Sequence, residues 1–309
     1  MKIATFDIGS NTVLMLAVEA DERRRPRVLA ELSRITRMGR GVDKNGRLDP
    51  NSAALTLSTL EEFAEKAREA GAERIVAAAT AALRDAADGP EFIARVKERT
   101  GLDLQIIPGA EEAALSHLAV IRGLDIDPSL PLLIVDIGGG STELIFAAPG
   151  RDLEMVSLQI GSVRLTERCV RSDPPSDADA AALRATIDQA LDALGWSHRP
   201  ARLVGIAGTV TTLCAVALGL GTYDSTIVHG HRLPRGEIDR VVSLLRSLPL
   251  AERLKLPGLP AGRADVIFAG ATILERIMTR FGAGEVIVSD QGVRWGLMWR
   301  EIDRLYPPH

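Results

Sequence analysis

The alternation of apolar and polar positions repeats itself along this chain. Ile3-Ala4-Thr5-Phe6-Asp7-Ile8-Gly9-Ser10-Asn11-Thr12 and Leu132-Leu133-Ile134-Val135-Asp136-Ile137-Gly138-Gly139-Gly140-Ser141 align at an offset of 129 residues. Each copy is an apolar run ending in Asp, a Gly/Ser/Asn turn and a second apolar run, Val13 to Val18 or Leu144 to Ala148. That is the pattern of a β-hairpin whose turn follows an acid at the strand end. Third strands are expected at Arg27 to Ile35 and Leu153 to Gln159. The period then changes. Ala53, Leu57, Leu60, Ala64 and Ala67 recur at helical spacing, and strands at Arg74 to Ala79 and Leu104 to Ile107 alternate with helices near Pro90 to Thr100 and Ala110 to Gly123. The second half predicts helices near Asp177 to Leu194, Thr209 to Leu218, Arg235 to Leu245 and Arg263 to Phe281, with strands at Leu203 to Ile206 and Glu285 to Val288.

Two copies of three antiparallel strands followed by alternating helices and strands predict two similar α/β domains. The expected boundary is Asp125-Ile126-Asp127-Pro128-Ser129, where a helical pattern ends at a proline. It divides an N-terminal domain, 1–124, from a C-terminal domain, 125–309, with the last helix, Val293 to Leu305, a candidate to complete the first.

The chain of 309 residues is 46% hydrophobic and 25% charged, enough apolar material for a buried core. Lys+Arg 37 against Asp+Glu 41 argues against a general nucleic-acid coat, which needs excess cations to neutralise phosphates. Arginine supplies 32 of those 37 bases, for which compositional bias is the plainer account. Arg23 to Arg47 holds nine bases against Glu31 and Asp43, either a polyanion-steering stretch or a solvated hairpin face. Two cysteines, Cys169 and Cys214, exclude a disulfide framework and point to a reducing, cytoplasmic setting. No signal-peptide apolar region precedes Asp7. Leu203 to Tyr223 lacks charge but holds four glycines and four threonines, so it reads as a buried strand, Gly turn and helix rather than a membrane span.

There is no Gly-Lys dipeptide, G-x-G-x-x-G, G-x-S-x-G or H-E-x-x-H, and His117, His198, His229, His231 and His309 do not cluster with cysteine at zinc spacing. P-loop, Rossmann, serine-hydrolase and zinc chemistry therefore recede. The two hairpin turns carry the positive signal. Gly9-Ser10-Asn11 and Gly138-Gly139-Gly140-Ser141-Thr142 can aim backbone N–H groups and hydroxyls into one concavity, a nest for phosphate oxygens. Asp7 and Asp136 could hold a hydrated Mg2+ beside them. Each turn alone is equally an ordinary Gly-rich hairpin closure, but two matched copies imply a shared ligand. Gly205-Ile206-Ala207-Gly208-Thr209 precedes a helix N-terminus, where anions also bind. Glu111 and Glu112 open a helix, either complementing its dipole or supplying a general base for water. Glu143 is open between an exposed strand residue and a metal or water ligand. Arg84 follows a strand end and is a candidate phosphate contact.

Together these residues resemble the exopolyphosphatase / guanosine pentaphosphate phosphohydrolase family of the actin–hexokinase–Hsp70-like superfamily. The resemblance runs through Asp7 to Thr12, Thr80-Ala81-Ala82-Leu83-Arg84, Gly109-Ala110-Glu111-Glu112-Ala113, Asp136 to Glu143, Ala207 to Thr212, Val228-His229-Gly230 and Val288-Ser289-Asp290-Gln291-Gly292. It implies two tandem ribonuclease H-like (actin-like ATPase) domains with an interdomain cleft, in an α/β fold. It implies release of terminal orthophosphate from linear polyphosphate or guanosine pentaphosphate, with Mg2+ as cofactor. By that resemblance Glu112 activates the attacking water, and Asp136, Glu143 and Asp7 are the acids around Mg2+. Ser10, Asn11, Arg84, Gly139, Gly140, Ser141, Thr142, Gly208 and Thr209 bind phosphate. A homodimer is expected, with neither nucleic-acid duplex nor membrane as partner.

Three departures stand out: Thr12 and Leu14 lie where the family often has Ser and a basic residue, Ala114 where Arg is common, and Trp295 where Glu is usual. Longer relatives carry a further helical region beyond the position of His309. The alternatives to a hydrolase are a superfamily kinase using ATP and a non-catalytic nucleotide- or polyphosphate-binding regulator.

Overall fold

In a computed structural model, described over residues 1–22, 25–124, 126–127 and 129–307, the chain divides into two units. One comprises Met1–Arg122 with the segment from Gly292 onward, and the other Gly123–Gln291. Asp125 and Pro128 of the expected boundary, Arg23 and Arg24 of the basic stretch, and His309 lie outside the described residues.

The first unit is built on a five-stranded sheet. Strands β1 (Lys2–Ile8), β2 (Thr12–Glu19), β3 (Arg27–Ile35), β4 (Arg74–Ala79) and β5 (Leu104–Ile106) lie in the order β3-β2-β1-β4-β5. β1 pairs antiparallel with β2 and parallel with β4, and β4 is parallel to β5. The strand period of two divides side chains between the faces. Ala4, Phe6 and Ile8 of β1 with Val13, Met15 and Ala17 of β2 pack into one core with Leu60, Phe63 and Ala64 of helix Pro50–Glu69 and with Phe92 and Val96 of helix Gly89–Thr100. That longer helix starts cleanly, because the Asp49 side chain accepts from the Ser52 amide and Pro50 needs no donor.

The opposite face, carrying Ile3, Leu16 and Val18, is covered by Trp295, Met298, Trp299 and Ile302 of the C-terminal helix Val293–Leu305. Each of these side chains gains roughly 1.5–3 kcal/mol from leaving water. Because Asp7 has the parity of Ile3 and Thr5, its carboxylate belongs to this helix-covered face.

The second unit repeats the arrangement. Strands β6 (Leu132–Ile137), β7 (Thr142–Ala147), β8 (Glu154–Leu158), β9 (Arg202–Ile206), β10 (Arg232–Pro234) and β11 (Glu285–Val288) follow the order β10-β11-β9-β6-β7-β8. Apart from the β10 edge strand, this is the same ribonuclease H-like order and direction as in the first sheet. The repeat holds to the register: Ile3 pairs with Val18 and Ile8 with Val13, while Leu132 pairs with Ala147 and Ile137 with Thr142. Helices Asp177–Asp192, Ala207–Leu218, Arg235–Ser247 and Ile267–Phe281 supply the core around Leu133, Val135, Ile137, Leu144 and Phe146.

Three local differences from the sequence expectation matter. Ser162–Cys169 forms a helix that the pattern did not announce. β9 runs directly into helix Ala207–Leu218 without a Gly loop, the corner being made by Ala207 at φ 63. The helix expected from Arg263 begins at Ile267, which leaves Arg263 in a short 3-10 turn before it. No helix among the described residues is long and apolar enough to cross a membrane.

Candidate functional site

The candidate residues of the first unit gather at the carboxyl ends of its parallel strands. Ile8, Ala79 and Ile106 are neighbours in register, so the turn after β1, helix Ala81–Asp85 after β4 and helix Gly109–Gly123 after β5 leave the same edge of the sheet. In open α/β sheets this is the edge where ligands bind.

The β1–β2 turn is closed by the Gly9 amide donating to Thr12 O (3.0 Å). Its carbonyls are held from behind: Ser10 O accepts from the Gly39 amide (2.7 Å), and Asn11 O from the Thr36 and Arg37 amides (3.0 Å each). With the carbonyls engaged there, the Ser10 and Asn11 amides meet no protein acceptor among the described residues.

The two adjacent glutamates separate by partner. Glu111 is tied to Arg300 of the C-terminal helix. Glu112, its carboxylate only 17% exposed, lies 3.9 Å from Nη1 of Arg84. Arg84 is itself positioned by donating to the Ile107 carbonyl (3.1 Å). The sequence left both acids open between a helix-dipole role and a catalytic one. Here the first is anchored, and the second stands beside a cation at the strand edge.

Asp7, one residue before the β1 turn, is opposite Leu14. Burial pushes its carboxyl from 3.8 up to about 6, partly offset by the charge of Arg294. That guanidinium also donates to Glu31 (2.6 Å), which accepts from Trp295 Nε1 as well (3.2 Å). Leu14 thus leaves Asp7 to a cation from the C-terminal helix, and Trp295 serves the same Glu31.

In the second unit the β6–β7 turn is closed by the Gly138 amide donating to Ser141 O (3.0 Å), the bond equivalent to Gly9–Thr12 at the same offset. Its carbonyls are also held from behind, by the start of helix Ser162–Cys169. Gly138 O accepts from the Ser162 amide (2.9 Å), and Gly139 O from the Val163 and Arg164 amides (2.9 and 3.1 Å). The helix can come this close because residue 161 is glycine, for a Cβ there would sit 2.3 Å from Gly139 O.

Asp136 and Glu143 are direct cross-strand partners, which puts two carboxylates on one face with Cβ atoms about 4.5–5.5 Å apart. Glu143 also accepts from Ser157 Oγ (2.7 Å). Like charges so placed repel unless a cation lies between them. Two hard oxygen donors suit Mg2+, which is commonly held by one or two carboxylates, waters and substrate phosphates. Among the described residues no group of three or more His, Cys, Asp or Glu is arranged to hold a metal. Asp7 belongs to the other unit.

Two of the expected phosphate contacts have their hydroxyls engaged by the protein. Thr142 and Thr209 are buried, and their hydroxyls donate to the carbonyls of Ile160 and Ile137. These bonds brace the turn and the helix start. A Cβ at Gly208 would fall 1.9 Å from Nη2 of Arg263, so that guanidinium lies directly against the glycine. Burial brings that guanidinium down to about 10, still cationic at neutral pH. Arg263, lying over the start of helix Ala207–Leu218, and Arg164, whose Nε donates to Gly140 O (2.7 Å), are the functional candidates the sequence reading missed. Both contacts are tertiary, Arg164 lying 24 residues from Gly140, and nothing local in the sequence marks either arginine.

Comparison with known proteins shows which chains this one is similar to. Exopolyphosphatase 2 of Mycobacterium tuberculosis is 33% identical over 315 aligned residues, covering 96% of this chain and 97% of the relative. A guanosine-5'-triphosphate,3'-diphosphate pyrophosphatase of Vibrio atlanticus is 28% identical over 97% of this chain and 59% of its own length. The crystal structure of the Aquifex aeolicus Ppx/GppA family member superposes with a TM-score of 0.86 at 32% identity, over 100% of this chain and 99% of that one. Residues 17–305 match the model of the Ppx/GppA phosphatase family, and the chain belongs to that family.

Proposed function

We propose that this protein is a phosphoanhydride hydrolase that releases terminal orthophosphate from linear polyphosphate or from guanosine pentaphosphate by water attack. Family membership and the activities named for its relatives support the reaction class. The observation that carries the assignment of residues is the half-buried Glu112 carboxylate beside Arg84, at the strand edge that bears the β1–β2 turn.

In this reading Glu112 accepts the proton of the attacking water, and Arg84 keeps it oriented while offering its guanidinium to phosphate oxygens. The amides of the β1–β2 turn bind further phosphate oxygens; in the second unit the β6–β7 turn offers the same donors, and Arg263 adds a cation at the start of helix Ala207–Leu218. Asp136 and Glu143 would hold Mg2+. Bound there, Mg2+ would neutralise charge on the phosphate oxygens. Phosphoryl transfer rests on such positioning and neutralisation more than on a covalent nucleophile. A cytoplasmic setting is part of the proposal, supported by two buried free cysteines. The homodimer rests on the resemblance alone.

The test is orthophosphate release with Mg2+, side by side on long-chain polyphosphate, guanosine pentaphosphate and ATP. Release from either of the first two with ATP spared is expected. Release from none, with binding retained, would overturn the hydrolase reading.

A further inference from the structure

We infer that Arg164 is a positioning residue of the β6–β7 phosphate turn, acting by holding the Gly140 carbonyl so that the next amide faces the bound phosphate. The inference rests on the proposed phosphate site and goes beyond it by naming what sets that site's shape.

In a planar trans peptide the C=O of one residue and the N–H of the next point in opposite directions. Whatever captures the carbonyls of Gly138, Gly139 and Gly140 therefore aims the amides of Gly139, Gly140 and Ser141 the other way. The first two carbonyls are captured by backbone, through the Ser162, Val163 and Arg164 amides. The third is captured by a side chain: among the described residues Gly140 O accepts from Arg164 Nε, at 2.7 Å. Nη2 of Arg164 is the nearest atom to the Cβ position of Gly140, at 3.6 Å, so the guanidinium lies alongside the turn.

The three released amides meet no protein acceptor among the described residues, which is the arrangement an anion needs. The β1–β2 turn obtains the same result from backbone alone, through the amides of residues 36, 37 and 39. The second turn is thus the one whose anion geometry a single side-chain substitution can relax.

The experiment compares wild type, Arg164→Ala and Arg164→Gln for steady-state orthophosphate release from long-chain polyphosphate with Mg2+, alongside thermal melts. The amide contact is made in both ground and transition states, so its loss should appear in KM rather than kcat. Arg164→Ala is expected to raise KM about 10- to 100-fold, the scale of one hydrogen bond to a charged group, with kcat within about threefold. Arg164→Gln keeps a neutral donor for the Gly140 carbonyl and should restore KM to within about threefold of wild type. An unchanged KM in the Ala variant would overturn the inference while leaving the hydrolase reading intact, as would equal losses in Ala and Gln at wild-type melting temperature. A wild type that releases no orthophosphate would overturn both. If Arg164→Ala fails to fold, the Gln variant decides: wild-type KM supports the carbonyl-holding role, and a KM raised as above refutes it.

Discussion

Gly161→Ala probes the turn architecture without removing any polar group. The backbone at Gly161 has φ -137, which alanine adopts freely, so the cost is steric alone. The new methyl would lie 2.3 Å from Gly139 O and 2.5 Å from the carbonyl carbons of Gly139 and Gly140, whereas ordinary contact begins near 3.4 Å. All three are main-chain atoms, so either the turn or the helix start must retreat by about 1 Å. Overpacking of this kind costs about 1–3 kcal/mol of stability. A displacement of that size at a substrate-positioning element can cost about 10²-fold in rate. The assay is kcat/KM for polyphosphate hydrolysis with Mg2+, beside a chemical-denaturation curve. A folded variant with kcat/KM reduced about 10²-fold is expected. Gly236→Ala, with nothing within 4 Å of its Cβ position, is the neutral control. A Gly161→Ala enzyme with wild-type kcat/KM would refute the claim that helix Ser162–Cys169 fixes the turn.

Glu112→Gln should lower kcat about 10²-fold or more while polyphosphate binding persists, whereas Glu111→Gln, which loses only its pair with Arg300, should keep kcat within about threefold; steady-state kinetics on the two variants checks the distinction. Asp136→Asn should shift the Mg2+ titration of activity to higher concentration, and a parallel calorimetric Mg2+ titration should show the same weakening without turnover. Asp7 has its carboxyl raised from 3.8 to about 6, so its contribution to stability is full below pH 3.8 and lost as pH rises through 6. Asp7→Asn should therefore raise the stability of metal-free protein above about pH 6.5, by at most about 3 kcal/mol, and change little near pH 4; urea unfolding at both pH values reads this.

Most of the architecture was legible because the hairpins announce themselves. Asp7 and Asp136 end apolar runs, glycines follow, and the 129-residue offset carries into the cross-strand register. The amphipathic stretch through Leu57, Leu60 and Ala64 likewise could be little else than a core-facing helix. What stayed hidden is short or tertiary. Ser162–Cys169 has only eight residues, with Leu165 and Cys169 as its core contacts. β10 has three residues, one a proline, and survives as an edge strand by pairing with β11.

In the site, residue type and position brought forward the Glu111-Glu112 pair, Arg84, Asp136 and Glu143 as candidates, and the family resemblance gave them their roles. They could not reveal that Thr142 and Thr209 turn inward to carbonyls, because a hydroxyl's partner is set by packing. Nor could they separate Glu111 from Glu112, a choice made by Arg300 from 189 residues away. Arg263 escaped for the same reason, since its neighbour Gly208 is distant in sequence.

The most direct test of the central claim is hydrolysis of polyphosphate in 18O-labelled water with Mg2+, following the label by mass spectrometry. Water attack on the terminal phosphorus assisted by Glu112 predicts one 18O in each released orthophosphate, none in the shortened chain, and a rate about 10²-fold lower in Glu112→Gln. Label in the shortened chain, or an unchanged rate in Glu112→Gln, would contradict it.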